Sequence, residues 1–561
     1  MAKPATTISP PVFFTSGGLL IAFLLVGVFA TDFASSTFPK ILEAVSTYFG
    51  WLYVASVGLF IGLAVYLRFS RFAKIRLGHD TDRPDFSTPT WFAMLFSAGM
   101  GIGLLFYGVA EPMLHYGSPP TGDGASMEAA RAALPLTFFH WGIHAWAIYV
   151  LMAMAIAYFA FRKDLPLSLR SCFFPLLGDR IYGPIGHLID ILAVFGTLFG
   201  LATSLGLGAM QVSAGLNHLF GVPHTIPTQL ILIGLITLAA TVSLVTGVEN
   251  GIRRLSELNI MTAGLLMLFV LAVGPTLFVV NSLFENLGSY LSVAFYRTFK
   301  IGNFQPDQQA WIQDWTLFYW GWWISWSPFV GMFVARISRG RTIGEFVTGV
   351  LLVPTAVTFV WLSVFGDTAL YMEVFGQGGI LAAVKADTST AIYVMLEKLP
   401  LADITCLLAA AVVTIFFVTS SDSASFVVDM LTSGGHPNPP IWQRVFWAVA
   451  EGATAAVLLY AGGERALNAL QAAVISIGLP FCVVLLFMCW SLLKALRQDP
   501  AARREPNPIR NPWPRPSPLA GGPSPAGLPA ARIEAPGSAL QDGTPSAPHV
   551  SAAEHRPTAS P

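Results

Sequence analysis

Five tryptophans, Trp315, Trp320, Trp322, Trp323 and Trp326, fall within twelve positions of one apolar run. Tryptophan at a run's edge favours the headgroup level of a bilayer, and this suits Trp315. Trp323 and Trp326 sit near the centre of the run, three apart and on one helix face with Trp320. A second run, Phe138 to Tyr149, carries Trp146 and Tyr149 three apart, with Trp141 within the same broad arc. Core packing is the plain alternative for such rings. The chemical one is a box for a cation, where each ring contributes ~0.5–2 kcal/mol. Quaternary ammonium has no N–H to satisfy, so a dry aromatic cage costs it no hydrogen bond. No acidic residue falls at the centre of these runs, which fits a zwitterion or a cation held by rings alone.

Two further patterns accompany the rings. Gly99, Gly101 and Gly103 alternate near the midpoint of the run 91–110. They serve close helix packing or an unwound segment whose amides, at Met100 and Gly101, face a ligand. Pro328 and neighbouring serines are expected to interrupt the tryptophan run in the same way. Thr419 and Ser420 place hydroxyls beside Phe416 in another apolar run. Such hydroxyls usually bond back to their own helix, but beside free carbonyls they suit a hard cation such as sodium. His140 and His144, four apart, have the spacing of two metal ligands without a third in view.

These residues need a scaffold, and composition says where it sits. The 561 residues are 54% hydrophobic and 11% charged, with a mean hydropathy of +0.63. A soluble domain carries roughly 25% charged residues, so this chain has too little polar surface for water. Net charge is zero, which gives no reason to expect a nucleic-acid partner. Cys172, Cys406, Cys482 and Cys489 show no zinc spacing and read as buried thiols. The first apolar run has no clear cleavage site and is expected to remain in the membrane.

The reading is an all-α integral membrane protein of about twelve spans, near 12–30, 51–68, 91–110, 137–160, 186–216, 229–247, 258–281, 314–335, 345–371, 402–425, 442–461 and 469–493. Lys and Arg in alternate loops differ by roughly two to one, which places both termini in the cytoplasm. Residues 1–11 form a cytoplasmic N-terminus and 12–498 the transporter domain. Residues 283–300 read as an amphipathic interfacial helix, and 499–561, rich in Pro and Ala, as a disordered cytoplasmic tail. The two interrupted runs, third and eighth, lie five apart. That offset gives two inverted five-helix repeats, spans 3–7 and 8–12, behind two N-terminal helices.

The stretch Trp315 to Phe346 resembles the signature of the betaine/choline/carnitine transporter family. So do Gly99-Met-Gly-Ile-Gly103, Phe139-His-Trp141 with Trp146 and Tyr149, and Thr419 to Ser425. The resemblance covers about residues 10–495. It implies ion-coupled uptake of a trimethylammonium solute, choline or glycine betaine, by a homotrimer in the plasma (inner) membrane. It implies a substrate box of Trp141, Trp146, Tyr149 and Trp323, with Trp322, Trp326 and Phe333 along the pathway. It implies a sodium site from Ser97, Met100, Phe416, Thr419 and Ser420. A second sodium site, at Ala98, Thr197 and Phe329, is in doubt because Leu201 stands where sodium-coupled members have threonine. One sodium or a proton is therefore open as the coupling ion. The competing readings are an intramembrane metalloenzyme at His140 and His144, and a binding-only osmosensor or channel. The tail shows no basic regulatory helix.

Overall fold

The structure, a computed structural model, describes residues 8–99, 101–246, 249–436 and 439–503. It is all helical among the described residues. In chain order the long elements are α1 Pro10–Phe29, α2 Thr31–Phe69, α3 Thr88–Gly99, α4 Ile102–Gly117, α5 Met127–Trp141, α6 Ile143–Ala157, α7 Pro184–Phe220 and α8 Ile226–Thr246. They continue as α9 Glu249–Val273, α10 Thr276–Thr298, α11 Phe318–Ile337, α12 Ile343–Leu362, α13 Ala402–Thr432, α14 Ile441–Gly462 and α15 Ala466–Gln498. Among the described residues, ten helices, some continuing through a short distorted turn, are long and apolar enough to cross a membrane. The chain is a multi-pass membrane protein.

Residues of α6, α7 and α11 lie in the interior. Outward faces of α1, α8 and α9 present Phe14, Leu235 and Leu265, each more than half exposed, as a lipid-facing surface requires. All four cysteines are free and buried, as expected of structural thiols.

The third expected span is in two pieces, α3 and α4. Gly101 between them is extended, with φ −165° and ψ −178°. The eighth does not break where Pro328 predicts. α11 runs through that proline without interruption. Pro328 cannot donate to the carbonyl of Ile324, and the Ser327 hydroxyl donates to that oxygen instead, at 2.8 Å. The distortion of this segment lies earlier, in a wide turn at Ile312–Leu317.

The fourth span, expected as one piece, is divided at Gly142, which has φ −90° and ψ −136°. A Cβ there would stand 2.6 Å from the Phe138 carbonyl and 2.7 Å from the Phe359 ring, so only glycine fits. The seventh expected span, 258–281, is also displaced. α9 ends at Val273, because Gly274-Pro275 cannot continue it, and α10 starts at Thr276.

Candidate functional site

The break at Gly142 carries Trp141 on one side and Trp146 and Tyr149 on the other. It also leaves the His140 carbonyl at a helix end, where the Trp323 indole N–H of α11 donates to it at 2.9 Å. Trp323 meets Trp141 edge to face, with centroids 4.9 Å apart, and lies 6.3 Å from Tyr149. Trp146 is 5.4 Å from Tyr149. The four rings expected to form a box are thus one contiguous, buried group. Trp322 stacks on Trp323 at 4.8 Å, and its N–H donates to Gly200 O of α7 at 3.2 Å.

The glycine motif reaches these rings. A Cβ on Gly103 would stand 2.8 Å from Trp141 and 2.9 Å from Trp322. Gly101 faces Trp326 at ordinary contact distance. Trp326, Phe329 and Phe333 then line an open cleft with Gly101, Phe416, Thr419 and Ser420. The pathway residues and the hydroxyl pair thus share one surface, adjoining the four-ring group through Trp322 and Trp326.

Thr419 donates back to Ile415 O at 3.0 Å. Thr197 Oγ1 is buried with no partner among the described residues, and Leu201 beside it on α7 is fully buried. Met100 lies outside the described residues, as do the side chains of Ser97 and Ala98.

Two expectations are corrected here. The first concerns acid near the rings. Glu111 of α4, one position beyond the expected third span, is fully buried against the box. Trp141 Nε1 donates to its Oε2 at 2.7 Å, and the Tyr319 hydroxyl donates to the same oxygen. Oε1 is 2.7 Å from His140 Nδ1 and 3.1 Å from His115 Nε2. Nothing local in the sequence marks this contact, because Glu111 and Trp141 are thirty positions apart. The Glu-Pro step within an apolar run was the available hint.

The second concerns His140 and His144. They turn to different partners, His140 to Glu111 and His144 Nε2 to Thr298 Oγ1 at 2.8 Å. Glu111, His115 and His140 do bring three ligand-type atoms within 4.8 Å of one another. Tetrahedral zinc ligands ~2.1 Å from the ion stand ~3.4 Å apart. The 2.7 Å contact between Glu111 and His140 is instead hydrogen-bond length.

Arg170 pairs with Asp190 near the start of α7. Arg341 stacks on Trp91 at 4.0 Å and donates to Phe86 O, so it does more than bias orientation.

A buried aromatic group joined to a hydroxyl-lined cleft, inside a bundle with an apolar exterior, is an arrangement suited to a membrane transporter. The betaine/carnitine/choline family transporter model matches residues 11–501, and the chain belongs to that family. It is 46% identical over 495 residues to the glycine betaine transporter OpuD of Bacillus subtilis, covering 88% of this chain and 95% of that one. It is 44% identical over 513 residues to a glycine betaine transporter of Acinetobacter baylyi, covering 90% and 77%. A glycine betaine/proline/choline/ectoine transporter of Vibrio parahaemolyticus is 45% identical over 503 residues, covering 88% of each.

Proposed function

We propose that this protein imports glycine betaine, or a related trimethylammonium solute such as choline, by ion-coupled symport with alternating access. The observation that carries the reading is the contiguous group of Trp141, Trp146, Tyr149 and Trp323 across the Gly142 break. The trimethylammonium head sits among these rings, and the amides at the Met100–Gly101 break hold the carboxylate when the solute has one. The names of the relatives favour glycine betaine over choline.

The cleft past Trp326 and Phe333 is the inner half of the pathway, at the end of α11 that carries Arg336. Sodium enters from this cleft to Thr419 and Ser420, with backbone oxygens at Ser97, Met100 and Phe416. A second ion at Ala98, Thr197 and Phe329 lacks an oxygen at Leu201, which favours one sodium over two, with a proton as the other driver. Twelve spans in two inverted five-helix repeats, both termini in the cytoplasm, and a homotrimer in the inner membrane complete the reading.

Uptake into proteoliposomes tests it. Glycine betaine, choline and carnitine are supplied under separately imposed sodium and proton gradients. Glycine betaine accumulates, and Trp323→Leu abolishes accumulation. Failure of all three solutes to accumulate, or an unaffected Trp323→Leu variant, overturns the reading.

A further inference from the structure

Glu451 lies at the middle of α14 with a fully buried side chain. Neither the box nor the cleft includes it. Among the described residues no basic side chain stands within ion-pair distance of it, although an intramembrane ion costs several kcal/mol without a partner. Its surroundings on α13 are hydroxyls. Ser425 Oγ is 2.8 Å from Glu451 Oε2, and Ser421 Oγ is 3.4 Å away. Glu451 Oε1 is buried and has no hydrogen-bond partner among the described residues. On the next residue, Gly452, a Cβ would stand 2.1 Å from Thr237 Oγ1 of α8, so α8 closes the side of the site.

Counting hydrogens shows that two proton arrangements fit here. Ser425 Oγ is also 2.8 Å from the Ser421 carbonyl, which can only accept. The hydroxyl has one hydrogen and cannot serve both oxygens. With that hydrogen on the Ser421 carbonyl, Glu451 Oε2 must be the donor to Ser425 Oγ, and the acid is neutral. The bare Oε1 is then a carbonyl oxygen, far cheaper to bury unpaired than half of an anion. If the proton leaves, Ser425 rotates its hydroxyl and donates to the carboxylate. One hydroxyl rotation thus accommodates both states without moving the backbone.

No basic side chain on α1, α2, α7, α8, α13 or α15 is within ion-pair distance of Glu451 among the described residues. Asp422 of α13 acts on it as a like charge. Asp429 of α13 is taken by Arg444 at 3.0 Å. α1 and α8 carry no ionisable side chain. On α7, Asp190 is taken by Arg170, while His187 and His218 stand near its two ends. On α15, Cys482 and Cys489 are free and buried, and Lys494 donates to Pro175 O. Arg497 is in the last turn of α15.

We propose that Glu451, with Ser425 and Ser421, is an intramembrane proton-binding site that exchanges its proton during the transport cycle. Ser420 and Ser423 line the cleft while Ser421 and Ser425 of the same helix face Glu451, so α13 alone separates the site from the pathway. The step moves one proton and no electrons. The Oε2–H bond breaks, the proton passes to water in the cleft, and the Ser425 hydroxyl donates to the carboxylate. The role in the cycle rests on the transport reading; the proton on Glu451 does not.

Two measurements on the full chain in liposomes test this. A trapped pH dye reports protons entering with labelled glycine betaine. Wild type acidifies the lumen as betaine enters, and Glu451→Gln lowers the ratio of protons to betaine by about tenfold or more. Betaine entry without acidification in wild type, or an unchanged ratio in Glu451→Gln, overturns the proposal. Infrared difference spectra between water and deuterated water at neutral pH, with no solute added, read protonated acids directly. Wild type shows a protonated-carboxyl band, which Ser425→Ala displaces. Absence of the band, or a band indifferent to Ser425→Ala, also overturns it, even if the protein moves no betaine or Glu451→Gln does not fold.

Discussion

Trp141 donates its indole N–H to Glu111 at 2.7 Å. The carboxylate thereby fixes the edge of a ring whose face belongs to the proposed cage. Because the Tyr319 hydroxyl and the Trp141 N–H converge on one carboxylate oxygen, truncating the acid leaves two buried donors unpaired. Each unpaired donor costs ~1–3 kcal/mol. Glu111→Ala is therefore expected to raise the KM for glycine betaine by about tenfold or more. Glu111→Gln keeps an oxygen for these donors and is expected to retain more affinity. Initial-rate uptake over a range of concentrations checks this, and equal KM values for Ala and wild type would count against it.

Gly103 and Gly101 make a matched pair. A methyl group on Gly103 collides with both Trp141 and Trp322, whereas one on Gly101 meets only Trp326 at 4.0 Å. Gly103→Ala is expected to abolish uptake and Gly101→Ala to reduce it less. Uptake normalised to membrane-inserted protein distinguishes them.

Continuity of α11 depends on a hydroxyl. Ser327→Ala alone leaves the Ile324 carbonyl without its donor and is expected to cost ~1–3 kcal/mol. Pro328→Ala restores a backbone N–H at the same place. The double variant should therefore be more stable than Ser327→Ala, a non-additivity read from thermal unfolding of the four proteins in detergent.

Asp499 closes α15 onto the turn Tyr158–Arg162 at the end of α6. Arg162 Nε and Nη2 donate to its two oxygens at 2.7 and 2.8 Å, and Tyr158 adds a third bond. Burial alone would raise this carboxyl, but the bonds from Arg162 and Tyr158 outweigh it and hold Asp499 below the usual carboxylate range. A depressed folded-state value means stability that is present above the unfolded value, ~4, and lost as pH falls below it. The unfolding temperature is expected to drop on acidification through that range, and Asp499→Asn to start lower and respond less. Scans at several pH values test both.

How far the sequence shows this molecule depends on whether the cause is local. The α3–α4 break was legible because three alternating glycines mark a segment free to leave the helix. Three-residue spacings put Trp146 with Tyr149, and Trp323 with Trp320 and Trp326, on helix faces, but the narrowing to Trp141, Trp146, Tyr149 and Trp323 came from the family resemblance. The Gly142 break was not legible, since its cause is the Phe359 ring more than two hundred positions away. Pro328 misled because its lost hydrogen bond is made good by the adjacent serine. The Glu111 contacts were invisible for the same reason as Gly142: α4, α5 and α11 meet only in the folded chain. From Asp499 the sequence reads as tail, yet Asp499 is buried and residues to Arg503 are helical. The remainder of that stretch, from residue 504, lies outside the described residues.

The cage itself is tested most directly by binding without transport. Glycine betaine and dimethylglycine share a carboxylate, but dimethylglycine has an N–H in place of one methyl group. A dry aromatic cage leaves that N–H unpaired, at ~1–3 kcal/mol. Calorimetric titration of the purified protein should show glycine betaine bound about tenfold tighter or more, with the difference lost in Trp323→Leu. Equal affinities for the two ligands in the wild-type protein would contradict the account.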